Sequence, residues 1–218
     1  MNLSFLLLIY FNISLSVVIG SWNVKDNRLG LKFEDDVVSK IKITYKGSDE
    51  DINAAIKGAS DVLKNKKFYD EIKKHKNFDY TVVSPSDISE YIKNSDASLR
   101  IRLYKPNDER SNTTAYVTSK YKNTIFINYY KKDRGLKHVV NTIIHEIVHS
   151  VDALQNDIKF GHGGNSSVGK DNSAPYWIGD LASKINSGNA KYIDQNKNAD
   201  PNVPVFEEYD TMEDTIVD

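Results

Sequence analysis

Residues 136–155 constrain the fold of this chain more than any other segment. When successive residues are placed at intervals of about 100°, apolar side chains fill one arc and polar side chains fill the opposite arc. The polar arc contains His145, Glu146 and His149, and the apolar arc consists largely of Val and Ile side chains. The pattern predicts a helix that packs its apolar face on a core and directs these three polar side chains away from it.

The stretch His145-Glu146-Ile147-Val148-His149 has the spacing of a metal site. Two histidines four residues apart lie on one face of a helix, about one turn apart, so both imidazoles can bind one metal ion at about 2.0–2.1 Å. Glu146 lies about 100° round the helix, where its carboxylate can take a proton from metal-held water. We expect two metal ligands and a general base here.

The same stretch resembles the active-site helix of the zincin metallopeptidases. The resemblance is tight over these five residues and extends over about 114–186. It implies one catalytic Zn²⁺ held by His145 and His149, with Glu146 as the general base. It also implies an α+β, zincin-like fold, in which a small mixed sheet packs on the active-site helix. The strand predicted at residues 124–130 would resemble the edge strand along which zincins align an extended peptide by strand addition.

The chain departs from the known zincin patterns after the second histidine. The metzincins require a glycine and a third histidine where this chain has Asp152 and Gln155. The gluzincins take a glutamate from a following helix, but no glutamate lies between Ser150 and Phe206. The loop pattern of the aspzincins, Gly-Thr before an Asp, is also absent. The resemblance therefore leaves the subfamily unassigned.

A catalytic zinc takes three protein ligands and keeps one position open. The stretch Phe160-Gly161-His162-Gly163-Gly164 contains three glycines, which permit a sharp return of the chain toward the helix. We predict His162 as the third ligand. The alternative is Asp180, on the helix predicted at residues 175–186, in the place of the gluzincin glutamate.

Two further residues are candidates for supporting roles. Asp152 lies one turn beyond His149 on the same face, where it could accept the other N–H of a ligand histidine. A plain surface position on the helix is the alternative for Asp152. Tyr176 could donate a hydrogen bond to the developing oxyanion.

The rest of the chain predicts the remaining elements of the α+β fold. Alternating apolar residues predict strands at residues 37–46, 79–83, 98–104, 114–118 and 124–130, and other patterns predict helices at 49–75, 84–91 and 175–186. The lysines at the end of the first of these helices are expected to form a solvated face.

The chain termini have distinct compositions. Residues 1–20 lack charged side chains and are too short and too polar for a membrane span, which favours a secretory signal over an uncleaved anchor helix. Residues 199–218 contain seven acidic residues and no basic residue, which predicts a mobile acidic tail. We expect residues 21–198 to form the metallopeptidase domain of a secreted protein, without stable membrane association after removal of the signal.

Composition excludes several classes of function. Lys and Arg number 29 against 30 for Asp and Glu, so charge gives no support for a nucleic-acid partner. The chain has no cysteine, which excludes disulfides, thiolate zinc ligands and a thiol nucleophile. The sequence thus predicts a secreted zinc peptidase that acts on proteins or peptides. Two alternatives stay open: a zinc hydrolase of a non-peptide amide, and a secreted toxin-like or binding module on a zincin fold.

Overall fold

The computed structural model describes residues 37–155, 158–162, 170–189, 193, 197–203 and 215–217. Contacts divide the chain into residues 1–34 and 35–218, and every described residue belongs to the second unit. The secretory signal expected at residues 1–20 and most of the acidic tail lie outside the described residues. Among the helices of the described part, none is both long and apolar enough to span a bilayer.

The described fold is α+β, with five helices and one small mixed sheet. The helices are α1 (Glu50–Lys64), α2 (Lys66–Lys74), α3 (Pro85–Asn94), α4 (Leu136–Leu154) and α5 (Ala174–Asn186). The strands are β1 (Lys42–Tyr45), β2 (Ser98–Lys105), β3 (Ala115–Tyr116), β4 (Thr124–Asn128) and β5 (Thr215–Val217). Two short 3₁₀ turns, Tyr129–Lys131 and Lys170–Asn172, precede α4 and α5. The helices predicted at residues 84–91, 136–155 and 175–186 are confirmed as α3, α4 and α5.

The strands are ordered β1-β2-β4-β3, with β1, β2 and β4 parallel and β3 antiparallel to β4. Alternate residues of β2 and β4 turn toward the helices, because side chains along a strand point to opposite faces. Ile101, Leu103, Ile125 and Ile127 are buried in this way, in one cluster with the apolar face of α4. The sheet and α4 thus share a single hydrophobic core.

The single helix predicted over residues 49–75 is wrong in one respect, because it breaks at Asn65. Asn65 has extended backbone angles, and its N–H bonds to the Val62 carbonyl at the end of α1. Its side chain also accepts a hydrogen bond from the Lys67 N–H and so caps the start of α2. One asparagine therefore ends one helix and begins the next, which is a use of the residue that apolar periodicity does not reveal.

Two strand predictions are corrected. Residues 79–83 form no strand; only a single bridge joins Asp79 to Ser173. The strand predicted at residues 124–130 ends at Asn128, whose side chain accepts from the Tyr130 N–H and caps the following 3₁₀ turn. Nor is this strand at the edge of the sheet, since β4 lies between β2 and β3. The edge strand on this side is β3.

Part of the acidic tail lies in the sheet. Residues Thr215–Val217 form β5, which pairs antiparallel with Leu103–Lys105 of β2. At these residues β4 pairs with one side of β2, so β5 lies on the opposite side. This is the side on which β1 pairs with the start of β2. The mobile tail predicted from composition is wrong for these three residues.

Candidate metal site

Helix α4 presents the candidate ligands from a face that is covered by other elements. Its apolar arc lies in the core, as its periodicity predicts. Its polar arc is also largely buried: Glu146 is 4% exposed, His149 7% and Asp152 2%. Polar side chains that are buried to this degree need partners or a ligand, because removing them from water without compensation is costly. The polar arc of α4 is therefore an internal site rather than a solvated surface.

Helix α5 approaches α4 closely at Gly179. A Cβ atom at this position would lie 2.8 Å from Asn141 Oδ1, 3.0 Å from the Asn141 carbonyl oxygen and 3.3 Å from His145 Cβ. Only a glycine allows this approach without displacement of α4 next to a candidate ligand. Apolar periodicity does not single out Gly179, although a glycine inside a helical pattern is a signal of close packing.

Three histidines converge on one point. His162 Nε2 lies 3.1 Å from His149 Nε2 and 3.3 Å from His145 Nε2. One ligand nitrogen from each histidine lies within 4.8 Å of the other two. A tetrahedral zinc with bonds of about 2.0–2.1 Å requires ligand nitrogens roughly 3.3–3.4 Å apart. The three side chains are therefore close enough to bind one metal ion, and their spacing is compatible with zinc.

The electrostatics of His149 favour metal binding. Its burial, followed by the neighbouring His145 and His162 side chains, holds the pKa of His149 well below its usual range. A neutral imidazole has a lone pair for a metal, whereas a protonated one has none. The second histidine of the helix is thus held in the form that a ligand needs.

Glu146 is buried beside these ligands. Its Oε2 atom has no hydrogen-bond partner among the described residues. Burial raises the pKa of Glu146 to about 8. A divalent cation nearby would favour the carboxylate and lower this pKa, since an opposite charge stabilises the ionised form. A buried carboxyl group with a perturbed pKa is a candidate for proton transfer.

A short loop brings His162 to the helix. Asp152 accepts hydrogen bonds from the Phe160 N–H (2.8 Å, Oδ1) and the Gly161 N–H (3.0 Å, Oδ2). The Phe160 ring is fully buried and stacks against Tyr91, with ring centroids 6.0 Å apart. Two partners of Asp152 are thus backbone amides of the loop, and the hydrogen bond from a ligand histidine to Asp152 stays a prediction.

Tyr176, the predicted oxyanion donor, lies against the histidines. Its ring centroid is 4.4 Å from that of His145, at an interplanar angle of 86°, and 4.8 Å from that of His162. Tyr176 also lines a cavity of about 340 Å³, together with Asn141 from α4. Tyr176 therefore contacts two of the histidines and also lines this cavity.

Asp180, the alternative third ligand, lies elsewhere. Its carboxylate forms an ion pair with Lys184 one turn along α5, at 2.7 Å, and is largely exposed. Among the described residues, the side chains that lie close enough together to hold one metal ion include His162 and not Asp180.

Comparisons of the chain with protein-family models, with curated proteins and with solved structures find no match.

Proposed function

We propose that this protein is a zinc-dependent peptidase with a zincin-like fold, exported from the cell that makes it. The observation that carries the proposal is the convergence of three imidazole nitrogens beside a buried glutamate. Three neutral nitrogen ligands and an adjacent carboxyl group are the equipment of a catalytic zinc site. Export is supported by the uncharged, moderately apolar residues 1–20.

His145, His149 and His162 would hold the zinc. When bound at such a site, zinc lowers the pKa of its water to about 7 and polarises a carbonyl group. Because the three histidines are neutral ligands, the site keeps the full charge of the ion for this purpose. The distances of 3.1 Å and 3.3 Å from His162 Nε2 to the other two Nε2 atoms support a single shared ion.

Glu146 would carry the proton that passes from the attacking water to the leaving amine. Its carboxylate takes a proton from the attacking water and returns it to the leaving amine, so one residue acts as base and then as acid. The burial of Glu146 excludes bulk water from this transfer. Tyr176, which packs on two of the three histidines, would donate a hydrogen bond from its hydroxyl group to the oxyanion that forms at the scissile carbonyl.

The fold supports a peptide as the substrate. The sheet ends at β3, which packs near α4, and an edge strand can pair with an extended peptide. The edge strand favours an extended peptide as the substrate over a small non-peptide amide, which would not pair with a strand.

The test compares the wild type with Glu146→Gln, with Glu90→Gln as the matched control on the surface of α3. Each protein is loaded with zinc and incubated with a mixed peptide library and with non-peptide amides, and products are mapped by mass spectrometry. We expect cleaved peptides from the wild type and from Glu90→Gln. Glu146→Gln should bind zinc normally and lose about 10²–10⁴-fold in rate, the usual contribution of a general base.

The alternatives give different results. Cleavage of amides without cleavage of peptides would replace the peptidase by an amide hydrolase. Zinc binding with no hydrolysis of either class would indicate a binding module. Loss of zinc from Glu146→Gln would contradict the proton-transfer role of Glu146, because a general base is not a ligand.

A further inference from the structure

The segment that delivers His162 reaches α4 by contacts that the sequence pattern does not display. Residues 158–162 are described, and they return to α4 from its C-terminal end. The Lys159 carbonyl accepts a hydrogen bond from Thr81 Oγ1 at 2.6 Å, and the Phe160 ring is buried in the core. These contacts fix the start of the segment, two and three residues before His162.

Asp152 holds the part of this segment that directly precedes His162. Its two carboxylate oxygens each accept one of two consecutive backbone N–H groups, from Phe160 and Gly161. Because Asp152 is 2% exposed, water does not compete for these bonds. Hydrogen bonds to a charged acceptor are about twice as strong as those between neutral groups. The backbone at Phe160 and Gly161, directly before His162, is thereby held against the helix that carries the other two histidines.

Gly161 is part of the same arrangement. A Cβ atom on Gly161 would lie 2.9 Å from Asp152 Oδ2 and 3.3 Å from His149 Nδ1. The carboxylate of Asp152 and the ring of His149 therefore both close on the side of Gly161 where a side chain would stand. A larger residue here would push the segment away from the carboxylate and from a proposed ligand at once.

We propose that Asp152 is the positioning residue of the metal site. It accepts hydrogen bonds from the backbone N–H groups of Phe160 and Gly161 and so places His162 next to His145 and His149. Asp152 itself is not a ligand of the metal in this proposal. The proposal rests on the proposed function, since it assumes that the three histidines bind zinc. Its consequence is that the effect of Asp152 on zinc affinity depends on the presence of His162.

The test is a double-mutant cycle on zinc affinity, which is measured by competition with a chromophoric chelator at fixed pH. The proteins are the wild type, Asp152→Asn, His162→Ala and the double variant, with Asp70→Asn on the surface of α2 as the control. Asparagine keeps the shape of aspartate but offers one acceptor oxygen in place of two. We expect Asp152→Asn to weaken zinc binding about 10–100-fold, as loss of an outer partner does at other sites.

The double variant distinguishes positioning from general stabilisation. If Asp152 acts through His162, its replacement in the His162→Ala background should change zinc affinity less than about threefold, because coupled residues are not additive. An equal loss in both backgrounds, or wild-type affinity in Asp152→Asn, would overturn the proposal. The thermal midpoint of each metal-free protein is recorded alongside, since a merely structural role would lower it without this dependence on His162.

Gly161→Ala provides the second variant, in case Asp152→Asn does not fold. It leaves every charge in place and is expected to weaken zinc binding by displacing the segment. Unchanged zinc affinity in Gly161→Ala would also overturn the proposal. Absence of zinc binding in the wild type would refute the proposed function and this inference together, whereas normal binding in the wild type and in Asp152→Asn would refute only the inference.

Discussion

The two regions that supply the candidate ligands are built in different ways. Helix α4 contributes His145 and His149 through its own period, so their common face follows from the spacing of four residues. Residues 158–162 contribute His162 with no regular structure, through contacts with Thr81, Tyr91 and Asp152. The first arrangement is local in sequence, and the second depends on three separate parts of the chain.

This difference predicts which part of the site resists local unfolding and which part opens easily. His145 and His149 are held in place by α4 itself, whose apolar face lies in the core. The loop is held by a few hydrogen bonds and one buried ring, and such segments open locally at lower cost than core helices do. Metal binding should therefore stabilise the loop more than the helix.

Replacement of single histidines gives the largest effect. His149→Ala and His162→Ala should each weaken zinc binding on the order of a hundredfold or more, because each removes one of three protein ligands. The two variants should differ when metal is absent. His149 is buried in the helix and its replacement should lower the free energy of unfolding, whereas His162 is half-buried and its replacement should not. Chelator competition and urea denaturation of the metal-free proteins measure both quantities.

Hydrogen exchange sharpens the contrast between the loop and the helix. At zinc concentrations about 100 times the dissociation constant, binding stabilises the bound conformation by about 2.7 kcal/mol. We expect the amides of Phe160 and Gly161 to exchange up to about a hundredfold more slowly with zinc. Amides in the middle of α4 should change little. Equal protection in both regions would contradict the distinction.

Gly179→Ala tests the contact between α4 and α5. The added methyl group meets the backbone of Asn141, which is not free to move, so we expect a loss of about 1–3 kcal/mol in the free energy of unfolding. Urea denaturation measures this loss, with Ser183→Ala on the same helix as the control. A Gly179→Ala protein as stable as the wild type would show that the helices can separate freely.

The smallest expected effect concerns the ion pair between Lys132, in the turn before α4, and Asp49, at the start of α1. Lys132 Nζ lies 2.7 Å from Asp49 Oδ2. Burial of the Asp49 carboxyl would raise its pKa, but hydrogen bonds from Lys132 and the Ile52 N–H outweigh burial and leave the pKa below its usual value of 3.8. A lowered folded-state pKa contributes stability above the unfolded pKa, and this stability is lost as the pH falls through the folded one.

Asp49→Asn keeps the cap on α1 and removes the charge, so its cost should be about 0.2–1 kcal/mol at pH 7. The cost should begin to fade below about pH 4, where the unfolded chain binds a proton at Asp49, and should vanish as the folded carboxyl is protonated at lower pH. Urea denaturation of both proteins from pH 7 to pH 3 tests this. A difference that persists unchanged at pH 3 would exclude the ion pair as its source.

The same local and non-local division explains what the sequence could predict. Helix α4 and its three polar side chains follow from periodicity, and His162 was predicted from the glycines around it. The partners of Asp152 were not predicted, because backbone amides eight and nine residues away leave no mark in a helical pattern. The edge strand was assigned to β4 instead of β3 for a related reason, since alternation shows that a strand exists but not which strands flank it.

The most direct test of the account is the zinc content of the purified protein combined with X-ray absorption at the zinc edge. The account predicts one zinc per chain, with three imidazole nitrogens at about 2.0–2.1 Å, and two imidazole nitrogens in His162→Ala. Absence of stoichiometric zinc, or a zinc whose ligands are unchanged in His162→Ala, would contradict it.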